Sequence, residues 1–436
     1  MDKTPTVAET RTVHLPLAKL EKCATCHSTE SLRLCSACGE RTYCSSKCQK
    51  EDWPKHKANC SKTDRIDLDR FYPFLACMAD FAHLHPDKPL HPGAGHVILN
   101  APNPGSRPVA FPDGSAANLV ILGDPIDVQS SLMSPKWWPS AASDKVRGKM
   151  FRRIYREGYV LPIAMSICLA LLSEIYTTTN SPGEKKRARL TYKSSPIADF
   201  GVVAGSADVT NQDKLAYWKI SESEESYFSG QDPNDHYWMY FTTIRGETVL
   251  LDCAMFTFNM CMMIDAEPYL TPRMPHIPFA PALFRERNMA SSTPELYVER
   301  TRASVLRNPD MHRAVAHSLS GYTKLEVDVV CQFMSRLARR ELSDVEIDLT
   351  FKWNNTNSRL LAEILEQQAW KSWPAEPRLA IEKDPDEVIH DGTEDDEAWL
   401  KYLKKVKKSK KAGADKHALN AAFRKWEARN LKQQKP

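Results

Sequence analysis

The sequence predicts an α+β protein: a metal-stapled N-terminal finger, a body of mixed helices and antiparallel strands, and a charged helical or disordered tail. Three observations carry this expectation. Seven of the twelve cysteines crowd between residues 23 and 60. Apolar residues recur at helical spacing near both ends of the remaining chain, and between residues 188 and 264 the period changes to two. The boundaries that follow are a disordered tail over 1–22, the finger over 23–60, an α+β body over 61–376, and an acidic-then-basic tail over 377–436.

Residues 1–22 show no periodicity. The finger then reads Cys23-x2-Cys26-x8-Cys35-x2-Cys38-x5-Cys44-x3-Cys48-x7-His56-x3-Cys60. The first twenty residues hold no hydrophobic export segment, so these thiols are expected to be metal ligands rather than disulfides. An odd seven would also leave one thiol over. Seven thiols and one imidazole fill two four-coordinate zinc sites with no position to spare, which is the closed geometry of structural rather than catalytic zinc. Cys23-Ala-Thr-Cys26-His27 also fits a haem-attachment string, but that use strands six further ligands. Each C-x2-C pair sits on a tight turn, and Cys44/Cys48 and His56/Cys60 are each four apart, on one helical face. Spacing leaves three ligand orders open: nested, with Cys23, Cys26, His56 and Cys60 together; sequential, with the first four cysteines together; or interleaved.

The string from Tyr43 through Gln49, Trp53 and Pro54 to Cys60, with the upstream cysteines, resembles a MYND-type zinc finger at all eight ligand positions. The resemblance implies the interleaved cross-brace, with Cys23, Cys26, Cys44 and Cys48 at one zinc and Cys35, Cys38, His56 and Cys60 at the other. It also implies that Gln49 and Trp53 line a shallow groove for short proline- and leucine-containing peptides. Trp supplies an apolar wall, and Gln can hydrogen-bond an extended backbone. The plainer reading is that Trp53 plugs the small core beneath the metals. Pro54 suits the first turn of a second short helix carrying His56 and Cys60. With seven thiolates and two zinc ions counted, the finger's formal charge is about −1, too little to attract phosphates. The expected partner is a protein, not nucleic acid.

From Ile66 to His83 apolar residues run at helical spacing, with Pro73 near a kink or start. Residues 85–145 are rich in Pro, Gly, Ser and Asp, with a strand candidate at Leu119–Leu122 and an exposed-looking Trp137-Trp138-Pro139. Residues 145–176 read as two helices broken before Pro162, the second almost wholly apolar and so central to the core. Candidate strands are Ala188–Tyr192, Phe200–Ala204, Leu215–Ser221, Tyr237–Ile244 and Thr248–Phe258. Helical periodicity returns from about Glu295 to Trp373. The strings Phe71-Tyr72-Pro73-Phe74-Leu75-Ala76 and Leu250-Leu251-Asp252-Cys253-Ala254-Met255-Phe256-Thr257-Phe258-Asn259 resemble those of fungal MYND-finger proteins with an uncharacterised α+β body, a likeness that implies no activity.

Charge and motifs narrow the function. Residues 401–436 carry thirteen Lys or Arg and two acids, so of the net +4 the rest of the chain holds −7. A mildly acidic body with a basic tail does not fit a nucleic-acid-binding domain. The run Lys404-Lys405-Val406-Lys407-Lys408-Ser409-Lys410-Lys411 can serve as a nuclear-import signal or simply be a solvated charge run. Nuclear or cytoplasmic residence follows as an expectation, with no membrane span, since the most apolar stretch is 14 residues and includes Pro162. No P-loop or dinucleotide fingerprint occurs. A SET methyltransferase domain is not expected, because no Asn-His dipeptide is present. The enzyme alternative is a Cys168–His236–Asp252 arrangement, weakly similar to transglutaminase-like and papain-like folds. Against it, Cys168 lies well inside its helix, away from the N-terminal dipole that would activate a thiol. A two-residue turn at Arg245-Gly246 would send His236 and Asp252 to opposite faces of the sheet; a three-residue loop would make them same-face diagonal neighbours. The sequence leaves that register open. The leading expectation is an adaptor rather than an enzyme.

Overall fold

The computed structural model describes residues 10–60, 63–127, 134–179, 187–220, 225–287, 296–316 and 321–382, with isolated positions between 401 and 421. Most of the acidic run and of the basic tail lies outside the described residues. The expected tail at 1–22 is corrected from residue 10 onward. Arg11–Val13 (β1) pairs antiparallel with Thr177–Thr179, and Arg11 meets Glu174 at 2.7 Å with both side chains largely buried.

In the finger, Arg33–Leu34 (β2) and Thr42–Tyr43 (β3) form a short antiparallel ladder, followed by Ser46–Cys60 (α1). The helix runs unbroken through Pro54, so the expected second helix does not exist. Proline removes only the N–H that would meet the Lys50 carbonyl, and Lys50 is exposed, where water can replace that bond. Thr63–Asp67 (β4) follows, and Asp67 caps Leu68–His83 (α2) by accepting from the Asp69 N–H at 3.3 Å.

A second set of elements begins with Pro92–Gly95 (α3), His96–Ile98 (β5), Val109–Ala110 (β6) and Ala116–Pro125 (β7), the last containing the predicted Leu119–Leu122. The expected helix pair is present as Asp144–Tyr155 (α4) and Val160–Ile175 (α5). They break at Gly158 and Tyr159, whose φ angles of +81° and +58° no helix continues through. No single helix among the described residues is long and apolar enough to cross a membrane, and this adjoining pair is bent by 68°.

The strand-rich centre holds Thr177–Thr179 (β8), Arg187–Tyr192 (β9), Ser195–Ala207 (β10), Leu215–Ile220 (β11), Glu225–Ser229 (β12), His236–Thr243 (β13) and Thr248–Asp252 (β14). The expected strand to Phe258 stops at Asp252, because its carboxylate accepts from the Ala254 N–H at 2.8 Å and turns the chain. Met262–Asp265 (β15), Phe279–Pro281 (β16), Leu283–Glu286 (β17) and Tyr297–Ser304 (β18) come next. Then come Pro309–Ala316 (α6), Lys324–Ala338 (α7), Asp344–Gln367 (α8) and Leu379–Ile381 (β19). β18 corrects the helical reading from Glu295. Its backbone lies so close to β10 that a Cβ on Gly201 would meet the Ala303 carbonyl at 2.1 Å, and that pairing outweighs local periodicity. β19 pairs with β15, so the body extends past the boundary placed at 376.

The main sheet runs β17-β14-β13-β10-β9-β4, with β18 also on β10; a second sheet runs β12-β11-β7-β5, with β6 on β7. α5 is buried along almost its whole length, as an all-apolar helix must be. It packs between α8 and the face of β13 that carries Tyr237, Met239 and Phe241. Asn354 and Asn357 of α8 donate to the Ser166 carbonyl and hydroxyl at 3.2 and 3.0 Å, satisfying the few polar groups there. Both α7 and α8 begin with capping boxes, Thr323/Glu326 and Ser343/Glu346. Trp137 and Trp138 are buried, not exposed. Their indole N–H groups donate to the Gly93 and Asn100 carbonyls at 3.0 Å each, so the rings fill a second core at no polar cost.

The finger is fixed to the body through its second knuckle. Gly39, at φ +69°, lies where a Cβ would be 2.7 Å from Pro196 Cγ. Arg65 of β4 donates to the Ser36 carbonyl at 2.8 Å, and the buried Arg189 of β9 lies 3.0 Å from Glu40.

Candidate metal centre

Two turns, the end of β3 and one helix bring the eight ligands together. Cys23 and Cys26 flank a tight turn, and Cys35 and Cys38 flank another that closes with Gly39 N–H on the Cys35 carbonyl at 2.9 Å. Cys44 follows β3, just ahead of the helix rather than on it, while Cys48, His56 and Cys60 project from α1. The result is two clusters, Cys23/Cys26/Cys44/Cys48 and Cys35/Cys38/His56/Cys60, each with its ligand atoms within 4.8 Å of one another. The order is interleaved, and the other two are excluded.

The donor sets fit zinc. A tetrahedron with ~2.3 Å zinc–sulfur bonds has edges of ~3.8 Å. The sulfurs of Cys26 and Cys44 are 3.4 Å apart, those of Cys44 and Cys48 3.6 Å, and those of Cys35 and Cys60 3.6 Å. Cys38 Sγ lies 3.4 Å from His56 Nε2. Burial opposes ionisation of Cys23, but amide N–H groups of Cys26, Thr25 and Cys44 outweigh it and lower the thiol to about 6. Cys35 falls to about 6 in the same way, burial being outweighed chiefly by the Cys38 amide and the His56 contact. Contacts with Cys26 and Cys48 push Cys44 up to about 12. Sulfurs so crowded that they resist ionising together need a shared cation. Zinc supplies it, and the residues present hold two ions.

Neighbouring groups orient the ligands. Tyr43 donates to Asp52 Oδ2 at 2.7 Å and sets its ring edge against His56, and Arg41 pairs with the same carboxylate at 3.2 Å. The sequence reading missed this trio, although Asp52 stands four residues from both Cys48 and His56 on α1. Thr25 Oγ1 donates to the Cys48 carbonyl at 2.9 Å, tying the first knuckle to the helix. The first site faces solvent through Cys26, whereas all four ligands of the second are buried.

The MYND finger family matches residues 23–60. Residues 23–60 are a MYND finger. Histone-lysine N-methyltransferase ASHR1 of Arabidopsis thaliana is similar to the chain over 49 residues at 37% identity, covering 11% of this chain and 10% of that protein. The chain thus spans about a tenth of that curated relative. No solved structure matches the chain. A MYND finger is a zinc-binding protein-interaction module.

Of the two residues expected to bind peptide, Trp53 is 45% exposed on the outer side of α1 and sits edge-on to His56 at 6.1 Å. Gln49 is half-buried one turn earlier, with Nε2 3.8 Å from Cys35 Sγ, so its amide also touches a metal ligand.

In the body, β13 and β14 pair Met239 with Leu251 and Thr242 with Thr248, leaving a three-residue loop of Ile244, Arg245 and Gly246, with Gly246 at φ +87°. His236 Nε2 and Asp252 Oδ2 meet at 2.6 Å, fully buried. Tyr297 on β18, absent from the sequence expectation, donates to the same oxygen at 2.7 Å, and its ring lies parallel to His236. Cys168 does not join them. His236 shares its sheet face with Trp238 and Tyr240, whereas α5 packs on the opposite face, and no hydrogen bond links the thiol to the imidazole. Burial pushes the Cys168 thiol far up, so it stays protonated.

Proposed function

We propose that the chain is an adaptor whose MYND finger captures short proline- and leucine-containing peptides in nuclear regulation. The observation that carries it is Trp53. In a finger whose other large apolar groups pack around the two metal clusters, this indole stands nearly half in solvent beside a helix turn that offers a Gln amide. An exposed aromatic wall with an adjacent amide suits an extended peptide that has little conformational entropy left to lose. The finger meets the body through Arg65, Arg189 and Pro196, and Trp53 takes no part in those contacts. For the nuclear part, Lys404, Lys405 and Lys408 are exposed in the basic run.

Trp53→Ala with two zinc ions retained tests the reading. Peptide-array capture should fall at least tenfold while the body's thermal unfolding is unchanged. Capture that survives intact makes Trp53 a packing residue and ends the groove. A reporter fused to residues 401–436 should enter the nucleus; exclusion would remove the nuclear part of the proposal.

A further inference from the structure

A cavity of about 410 Å³ opens beside α4, between the 102–105 loop, the start of β7 and the 210–213 turn. Its volume lies in the range of small-molecule sites. Lys149 and Arg153, four apart on one face of α4, both line it and are 4% and 7% exposed.

Arg153 is held by backbone carbonyls. Its Nε and Nη2 donate to the Thr257 carbonyl at 3.1 and 3.0 Å, and Nη2 also to the Asp213 carbonyl at 2.6 Å. These acceptors are neutral, and among the described residues no carboxylate pairs with this guanidinium and Nη1 carries no hydrogen bond. Arg156, at the end of the same helix, shows the ordinary solution: both arms on Asp80 at 2.6 and 3.0 Å. The Asp213 carboxylate in the cavity wall is already engaged by Thr210 Oγ1 at 2.7 Å and Asn259 Nδ2 at 3.1 Å.

A second observation is independent of the charges. Asn118 of β7 lines the same cavity at 6% exposure, and its side-chain amide has no hydrogen-bond partner among the described residues. Only its backbone is tied, to the Lys214 carbonyl at 2.8 Å. Both side chains are more than nine-tenths buried, and the Asn118 amide and Arg153 Nη1 are left with hydrogen-bonding capacity at the cavity wall, where an oxygen ligand can take it up.

We propose that this cavity binds a small molecule through an oxyanion group, a carboxylate or a phosphate, received by Arg153 and Asn118 with Lys149 alongside. The apolar part of the wall, Val146 and Met150, meets the remainder of that molecule. The guanidinium fork matches either anion geometrically, and the amide N–H₂ donates to a second oxygen.

Isothermal titration calorimetry on the full-length, zinc-loaded protein tests this, with succinate and glycerol 3-phosphate as probes and glycerol as the neutral control. One anion should saturate at one site per chain, and the two arms distinguish carboxylate from phosphate. Asn118→Asp, which keeps the side-chain size but sets a like charge in the cavity, should abolish binding. Arg153→Lys should weaken it about tenfold or more, the worth of a hydrogen bond to a charged group. Circular dichroism on both variants shows whether the body is folded, and Asn118→Leu gives a neutral variant that should also bind more weakly. The proposal is overturned if neither anion saturates wild type, if glycerol binds as well, or if a folded Asn118→Asp binds unchanged.

Discussion

Replacing Asp252 with alanine would orphan three donors in one step. Its carboxylate accepts from His236 Nε2 at 2.6 Å, from the Tyr297 hydroxyl at 2.7 Å and from the Ala254 N–H at 2.8 Å, and the residue is 1% exposed. Each buried donor left without a partner costs about 1–3 kcal/mol, and breaking a buried polar pair by removing one side costs about 3–5 kcal/mol. Asp252→Ala should therefore cost about 3–5 kcal/mol, a large share of the ~5–15 kcal/mol that holds a domain together. Asp252→Asn, keeping the shape and one acceptor, should cost less. Urea unfolding at fixed zinc, followed by near-ultraviolet circular dichroism, reads this where Trp238 stacks on Tyr297 at 4.6 Å. A loss below about 1 kcal/mol for the alanine variant would refute the structural role. It would reopen a chemical one for the His236–Asp252 pair, since polar groups kept for chemistry need not support the fold.

Other outcomes follow from the same geometry. Cys168 should resist a thiol-reactive probe in the native protein, by mass spectrometry of labelled peptides; labelling that His236→Ala suppresses would revive the enzyme alternative. His83 is held neutral by burial, with Lys88 and Arg156 adding to the effect, so its folded pKa lies well below 6.5. As pH falls through about 6.5 the unfolded chain takes up a proton that the folded chain refuses, so stability present above that value is lost below it. His83→Asn should flatten the acid slope of body unfolding, and an unchanged slope would contradict this. Chelating the zinc should raise hydrogen exchange in β4 and β9 as well as in the finger, because Arg65 and Arg189 rest on the second knuckle. Exchange confined to residues 23–60 would show the two parts to be uncoupled.

What the sequence revealed depended on how local the signal was. The metal ligands stood out because zinc needs fixed residue types at short spacings, and their count closed two shells. The pairing of those ligands was not local, and only the resemblance to MYND fingers separated the three orders. Period-two alternation located β9, β10, β11, β13 and β14, since each has a face to bury. β18 escaped because its place is set by the glycines of β10, more than ninety residues earlier in the chain. Trp137 and Trp138 looked exposed beside Pro139, but their N–H groups found backbone carbonyls at Gly93 and Asn100 that no spacing foretells. Tyr297 was missed as the third member of the His236–Asp252 group for the same reason as its strand. That Arg153 meets carbonyls rather than a carboxylate, and that the Asn118 amide has no partner among the described residues, are properties of the folded cavity alone.

The central claim is that residues 23–60 hold two zinc ions in an interleaved arrangement. Replacing zinc with ¹¹³Cd and recording its NMR spectrum tests it directly, because a four-sulfur site and a three-sulfur, one-nitrogen site resonate apart. Two signals should appear, and Cys44→Ser should remove the four-sulfur signal while leaving the one that holds His56. A single cadmium in properly reduced protein, or loss of the His56 signal on changing Cys44, would contradict the cross-brace.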